Sequence, residues 1–149
     1  MIADIFTKIL ASKKLAPISS IEMIKNIISF TYVENKGIAF GMFQGGRVIF
    51  ILVSIIVLAL LLLTLKKTPK EKRTFFLKSG VAFTVSGALG NLIDRIVYGY
   101  VVDFIEVTFI DFPVFNIADI AVCVGAAFLV IHFLFFESKN NERKESLDE

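Results

Sequence analysis

Asn91, Asp94, Arg95, Asp103, Asn116 and Asp119 stand in the apolar second half of a 149-residue chain. These are residue types that hold and move protons. If Asp103 and Asp119 come together, their carboxylates cannot both ionise freely, and the pair shares one proton. The ionised member can then take a proton from water while the protonated member hydrogen-bonds the carbonyl of a scissile peptide bond. Arg95 and the asparagine amides are suited to holding the backbone and the carboxylates in place. A plainer reading uses the same residues. Asp119 follows Asn116 by three positions, as an acid favoured by the dipole of a helix that Asn116 caps, and Asp94–Arg95 is then an interfacial ion pair. Spacing alone leaves both readings open. No metal and no cofactor is expected. His132 is the only histidine and lies at the far end of the last apolar segment, where a packed or headgroup-facing ring is the default. Cys123 is the only cysteine, which excludes an internal disulfide and a cysteine-based zinc site, and its apolar surroundings point to a packing role.

The elements that must position these residues belong to a membrane. The chain is 56% apolar, with 16 Phe and no Trp, more apolar than a soluble domain of this size sustains. Its net charge of +2 and the lack of basic runs interleaved with stacking aromatics argue against a nucleic-acid partner. Residues 48–65 carry no charge and are closed by Arg47 and Lys66. As a helix they rise about 27 Å, close to the roughly 30 Å hydrocarbon layer. Residues 77–96 form a second span, less greasy and rich in small residues. Ser86 and Gly90 are four apart on one face, suited to close helix approach. Residues 117–136 form the last span, with Ala121 and Gly125 as its small pair.

Charge assigns the sides. The stretch 66–76 is rich in Lys and Arg, whereas 97–114 contains Asp103, Glu106 and Asp111 and no basic residue. The positive-inside rule makes 66–76 and the tail 137–149 cytoplasmic, and 13–46 and 97–114 external. Lys13 and Lys14 run against that rule. The opening "MIADIFTKILA" has helical apolar spacing but rises only about 16 Å, so residues 1–12 form a partial span. Asp4 and Lys8 share one face of it, and the bland reading is a surface ion pair on an interfacial helix. "IISFTYV" (27–33) is β-branched and aromatic and reads as a short strand. Four glycines between Asn35 and Gly46 signal turns and close backbone approach.

Four stretches resemble the lipoprotein signal peptidases, the signal peptidase II family: "DIFTK" (4–8), "NKGIAFG" (35–41), "GALGNLIDRIVYGYVVDFI" (87–105) and "FNIADIAVCVG" (115–125). The last two are the specific ones, and the order and spacing of the four cover most of the chain. The resemblance implies catalytic aspartates at Asp103 and Asp119. It implies supporting or substrate-binding roles for Asp4, Lys8, Asn35, Gly37, Asn91, Asp94, Arg95 and Asn116, with the glycine-rich stretch after Asn35 helping to cover the site. The implied reaction is metal-independent cleavage of the signal peptide just before a diacylglyceryl-modified cysteine of a bacterial prolipoprotein, inhibited by the cyclic peptide globomycin. Partners are then the lipidated precursors and membrane lipids, with the chain a monomer in the bacterial cytoplasmic membrane and its site near the external face.

The fold class so implied is an all-α integral membrane protein. Residues 1–149 would form a single domain, a four-transmembrane-helix bundle with a small external β cradle that includes "IISFTYV". In the family a longer apolar stretch precedes the first helical Asp. Only Met1–Ala3 stand there in this chain, so a truncated first helix or a start assigned too late is expected. Two other classes compete. A small transporter or proton channel would use Asp119 as a relay, although relays usually lie nearer mid-membrane, and a non-enzymatic assembly factor would need neither aspartate.

Overall fold

The computed structural model describes residues 1–37, 46–69 and 74–137, with residue 137 described by its backbone only. Among the described residues, three helices are long and apolar enough to cross a membrane. The first of these, α2 (Arg47–Lys67), is hydrophobic on every side, and only its Leu58 is buried. A helix with no polar face and almost no burial within the protein is one solvated by lipid. The next two, α3 (Phe75–Val97) and α4 (Ile117–His132), pack against each other along glycine. A Cβ at Gly80 would come within 2.8 Å of the Leu129 side chain, and one at Gly87 would overlap the Ala118 carbonyl. Gly80, Gly87 and Gly90 line the buried face of α3, and Gly125 faces them from α4. Of the expected small pair on α3, Gly90 is at this interface, while Ser86 accepts a hydrogen bond from the Met1 amine at 2.8 Å.

The short first helix, α1 (Ile2–Lys14), is amphipathic, and its buried residues are Asp4, Lys8 and Ala11. Two of the three are ionisable and are only 1% and 3% exposed, so Asp4–Lys8 is not the surface pair that its spacing allows. A π-helical turn (Phe133–Glu137) closes α4. His132 is buried there against Phe133 and stacked on Phe136, a packed histidine. Cys123, expected to pack inside, is exposed on the outer face of α4. An apolar segment in lipid has two greasy sides, and composition does not say which one faces protein.

Three antiparallel strands, β1 (Ser20–Ile24), β2 (Ile28–Asn35) and β3 (Val101–Val107), form one sheet in the order β1-β2-β3. The stretch read as a strand at 27–33 is β2. The stretch read as the loop 97–114 instead contains β3, entered through Gly99 at φ +86, a left-handed turn suited to glycine. A bulge interrupts β2–β3 pairing between Phe30↔Ile105 and Val33↔Asp103, where two residues of β2 face one of β3. Thr31 in the bulge bonds Ser20 across β1 and the Glu106 carboxylate across β3.

Strand alternation then sorts β3. Val102 and Phe104 turn toward Ala11 of α1 and form a small core with it, and Val101 and Asp103 turn to the other face. After β3 the chain doubles back, and Phe115 bonds Phe104 and Ile105 through its backbone. That return pins Asn116, the first residue before α4, beside Asp103.

Candidate active site

Asp103 and Asp119 line one cavity of about 310 Å³, together with Asn35, Gly37, Asn91 and Arg95. Its remaining wall is apolar, formed by Val101 and the run Phe112–Pro113–Val114–Phe115. Each polar side chain arrives from a different element: Asn35 from the end of β2, Asn91 and Arg95 from the last turns of α3, Asp103 from β3, and Asp119 from the first turn of α4.

The two carboxylates are joined through two asparagine amides. Asn116 Nδ2 donates to Asp103 Oδ1 at 2.6 Å and to Asn91 Oδ1 at 3.1 Å. Asn91 Nδ2 donates to Asp119 Oδ1 at 2.8 Å. Asn116 also caps α4. Its Oδ1 accepts the Asp119 N–H, and Asp119 Oδ2 accepts the Asn116 N–H, both at 3.0 Å. The capping reading and the paired-carboxylate reading are therefore compatible, because one oxygen of Asp119 is used in the cap and the other faces Asn91. Asn116 is fully buried, so losing it would strand polar groups on three elements.

Asp103 is 2% exposed. Burial raises its carboxyl to about 6, the Asn35 amide opposes this, the nearby Asp119 charge adds to it, and the Asn116 amide and Lys8 oppose it again. Asn35 Nδ2 donates to Asp103 Oδ2 at 2.9 Å, while Asn35 Oδ1 accepts the Gly37 N–H at 3.0 Å. Asn35 reaches Asp103 diagonally across the β2–β3 ladder, since Val33 is the residue directly opposite.

Beneath this layer lies a second one. Lys8 Nζ reaches Asn91 Oδ1 at 2.8 Å, Asp94 Oδ2 at 2.9 Å and Asp4 Oδ2 at 3.1 Å. Asp4 Oδ1 accepts the Ala118 N–H at 2.9 Å, tying α1 to the positive end of α4. Asp4 Oδ2 has no hydrogen bond of good geometry, and the ammonium at 3.1 Å is its electrostatic partner. Asp94 also accepts the Val102 N–H at 3.3 Å. The Asp94–Arg95 ion pair of the plainer reading does not form, because adjacent helical residues point to different sides and Asp94 turns inward to Lys8. Arg95 lies over the Phe50 ring at 5.4 Å from its centroid and extends toward the Gly37 carbonyl at 3.4 Å.

All ten residues singled out from the sequence thus belong to one connected assembly. Gly37 is its last described member on that side. Of the glycine-rich stretch expected to cover the site, residues 38–45 lie outside the described residues. Arg47 was missed. Its guanidinium donates to the carbonyls of Arg95 and Ile96 at 2.8 Å each and packs close to Gly99. It caps the C-terminus of α3, where a cation suits the helix dipole, and so fixes the turn between Arg95 and β3. A basic residue at the edge of an apolar span reads as a membrane flank, and nothing local marks it as a cap.

The chain matches the family model for signal peptidase II (Peptidase_A8) over residues 1–135. It is 47% identical over 143 residues to the lipoprotein signal peptidase of Clostridium novyi (strain NT), covering 93% of this chain and 94% of that one. It is 44% identical over 139 residues to the lipoprotein signal peptidase of Clostridioides difficile (strain 630), covering 92% and 90%. Its fold matches a bacterial membrane enzyme solved in meso at 2.3 Å resolution, with a TM-score of 0.81 and 33% identity, over 89% of this chain and 81% of that one. A second such structure, at 1.9 Å resolution, matches with a TM-score of 0.79 and 33% identity, over 91% and 87%.

Proposed function

The chain belongs to the signal peptidase II family, aspartic peptidases that process prolipoprotein signal peptides in bacterial membranes, and we propose that Asp103 and Asp119 are the pair that hydrolyses the peptide bond. One observation carries this reading: the two carboxylates line one cavity and are tied to each other through Asn116 and Asn91. Sharing one proton, the pair divides the work. Asp103, whose burial favours the protonated form, hydrogen-bonds the scissile carbonyl. Asp119, whose oxygens accept from the amide of Asn91 and the backbone N–H of Asn116, takes a proton from water as the water oxygen attacks the carbonyl carbon. The C–N bond then breaks as the leaving nitrogen gains a proton from the pair. Asn35, Asn91, Asn116 and Arg95 position these groups. The proton cycle needs no metal.

The substrate reading is a prolipoprotein cut just before its diacylglyceryl-modified cysteine. A cavity with one polar wall and one wall of Val101 and Phe112–Phe115 suits a residue that carries a peptide on one side and acyl chains on the other. The chain acts as one domain. Its site lies near the external face, a placement that rests on the basic 66–76 stretch and tail being cytoplasmic and on 13–46 and 97–114 being external.

Cleavage of a diacylglyceryl-modified precursor by purified enzyme, with and without globomycin, tests the reading. Asp103→Asn and Asp119→Asn are each expected to lower turnover by orders of magnitude while the protein still folds. The double variant is expected to be little worse than either, because the two act as a unit. Near-normal cleavage by either single variant removes that residue from the site.

A further inference from the structure

The amide chain between the two aspartates has a direction, and its direction is not symmetric in what enforces it. An asparagine side chain donates at one end and accepts at the other, and the two ends are nearly the same size. Turned over, Asn91 would present its oxygen to the Asp119 carboxylate and its NH₂ to Asn116 Nδ2. Nothing in the shape of the amide prevents this. Polarity has to be set by neighbours that can only donate or only accept, and on the Nδ2 side the Asp119 carboxylate is one of them.

Lys8 is such a neighbour. Its ammonium has three N–H bonds and no acceptor, and it has three partners: Asn91 Oδ1 at 2.8 Å, Asp94 Oδ2 at 2.9 Å and Asp4 Oδ2 at 3.1 Å. We propose that Lys8 is the polarity lock of the active site, a positioning residue whose ammonium holds the oxygen of Asn91 inward so that Asn91 presents its N–H donor to Asp119. The inference rests on the reading of Asp103 and Asp119 as the catalytic pair, and it deepens that reading. With Lys8 in place, Asn91 Oδ1 receives two donors, Lys8 Nζ and Asn116 Nδ2, and Asn91 Nδ2 is left for Asp119. With a reversed Asn91, three contacts turn repulsive at once: donor against ammonium, donor against the Asn116 amide, and oxygen against carboxylate. Asn116 is oriented independently, because the Asp119 N–H on its Oδ1 leaves its Nδ2 for Asp103 and for Asn91 Oδ1, so Asp103 needs no second cation. Asp4 and Asp94 then have their own place. They hold the ammonium at one point, 3% exposed, where a lysine alone would withdraw toward water.

The rival account is that Lys8 serves only to neutralise Asp4 and Asp94. Charge-conserving pairs of substitutions separate the two. Lys8→Met leaves two buried carboxylates without a cation and is expected to lower the melting temperature and the yield. Lys8→Met with Asp94→Asn removes one positive and one negative charge, so the cluster keeps its net charge but loses its donor to Asn91. The readouts are melting temperature in detergent, KM and kcat for a diacylglyceryl-modified precursor, each per folded monodisperse enzyme. Stability is expected to return to near wild type, KM to stay within about twofold, and kcat to remain at least tenfold down. The pair Lys8→Met with Asp4→Asn is expected to behave alike. Recovery of both stability and kcat in either double variant overturns the lock and leaves charge neutralisation. If neither double variant folds, Lys8 is a structural requirement and the lock falls as well. Active Asp103→Asn or Asp119→Asn enzyme would instead overturn the catalytic pair itself, so the two failures are distinct.

Discussion

Removing the Asn35 amide should move the pH range in which the enzyme works, and the direction is set by which state of Asp103 the amide supports. Asn35 Nδ2 donates to Asp103 Oδ2 at 2.9 Å, and it is the largest influence opposing the burial that raises this carboxyl to about 6. A hydrogen bond to a charged acceptor contributes about 1.5–3 kcal/mol, and one pH unit corresponds to about 1.4 kcal/mol. Asn35→Ala should therefore raise the Asp103 carboxyl by roughly one to two units. Asn35 is only half-buried, so water replaces part of the lost donor and the lower end applies. The reaction needs the shared proton, so the alkaline limb of kcat/KM marks its loss, and that limb should move up by about one unit. Asn35→Ala should thus be slower at its plateau, because the turn to Gly37 is also loosened, yet keep its activity at a pH where wild type has declined. The assay is the pH profile of precursor cleavage from pH 5 to about 9 under kcat/KM conditions. An alkaline limb that stays put or moves down would refute the assignment of the proton to Asp103.

Gly90→Ala places a Cβ on the buried Asp4 carboxylate. The gain in helix propensity, about 1 kcal/mol, is outweighed by overpacking at about 1–3 kcal/mol, so thermal melts should show a lower melting temperature together with lost activity, and a rise would contradict the packing account. The Asp103 carboxyl, raised from 3.8 to about 6 by folding, contributes stability that is fully present below pH 4 and is lost as pH rises through 6, a change of about 3 kcal/mol. Asp103→Asn should remove that slope from melts run between about pH 4 and 8, and an unchanged slope would assign it to another group. Single-cysteine labelling at Thr68, in a Cys123→Ala background, should fail from outside intact cells, and labelling there would reverse the orientation.

The spans and the family are legible in the residues alone. Length and apolarity place residues 48–65 inside the observed Arg47–Lys67 and 77–96 inside Phe75–Val97, because a membrane helix is specified by one local property extended over about twenty residues. The β-branched run at 27–33 and the cap formed by Asn116 and Asp119 are equally local, and both are found where the residues put them. Partnership is another matter. Asp94 has Arg95 beside it in sequence and pairs with Lys8 from another helix. Asp4 and Lys8 have the spacing of a surface pair and are buried, since their status depends on whether α3 and α4 cover that face. The strand Val101–Val107 alternates only weakly because both of its faces are covered at Val101–Phe104. That Asp103 faces the cavity while Val102 and Phe104 face α1 follows from its register on a bulged neighbour. Arg47 and Cys123 sit at the edge and in the middle of apolar helices, and only the packing of those helices makes one a cap and leaves the other facing outward. Burial and charge pairing depend on contacts between distant segments, which a local pattern of residues does not encode.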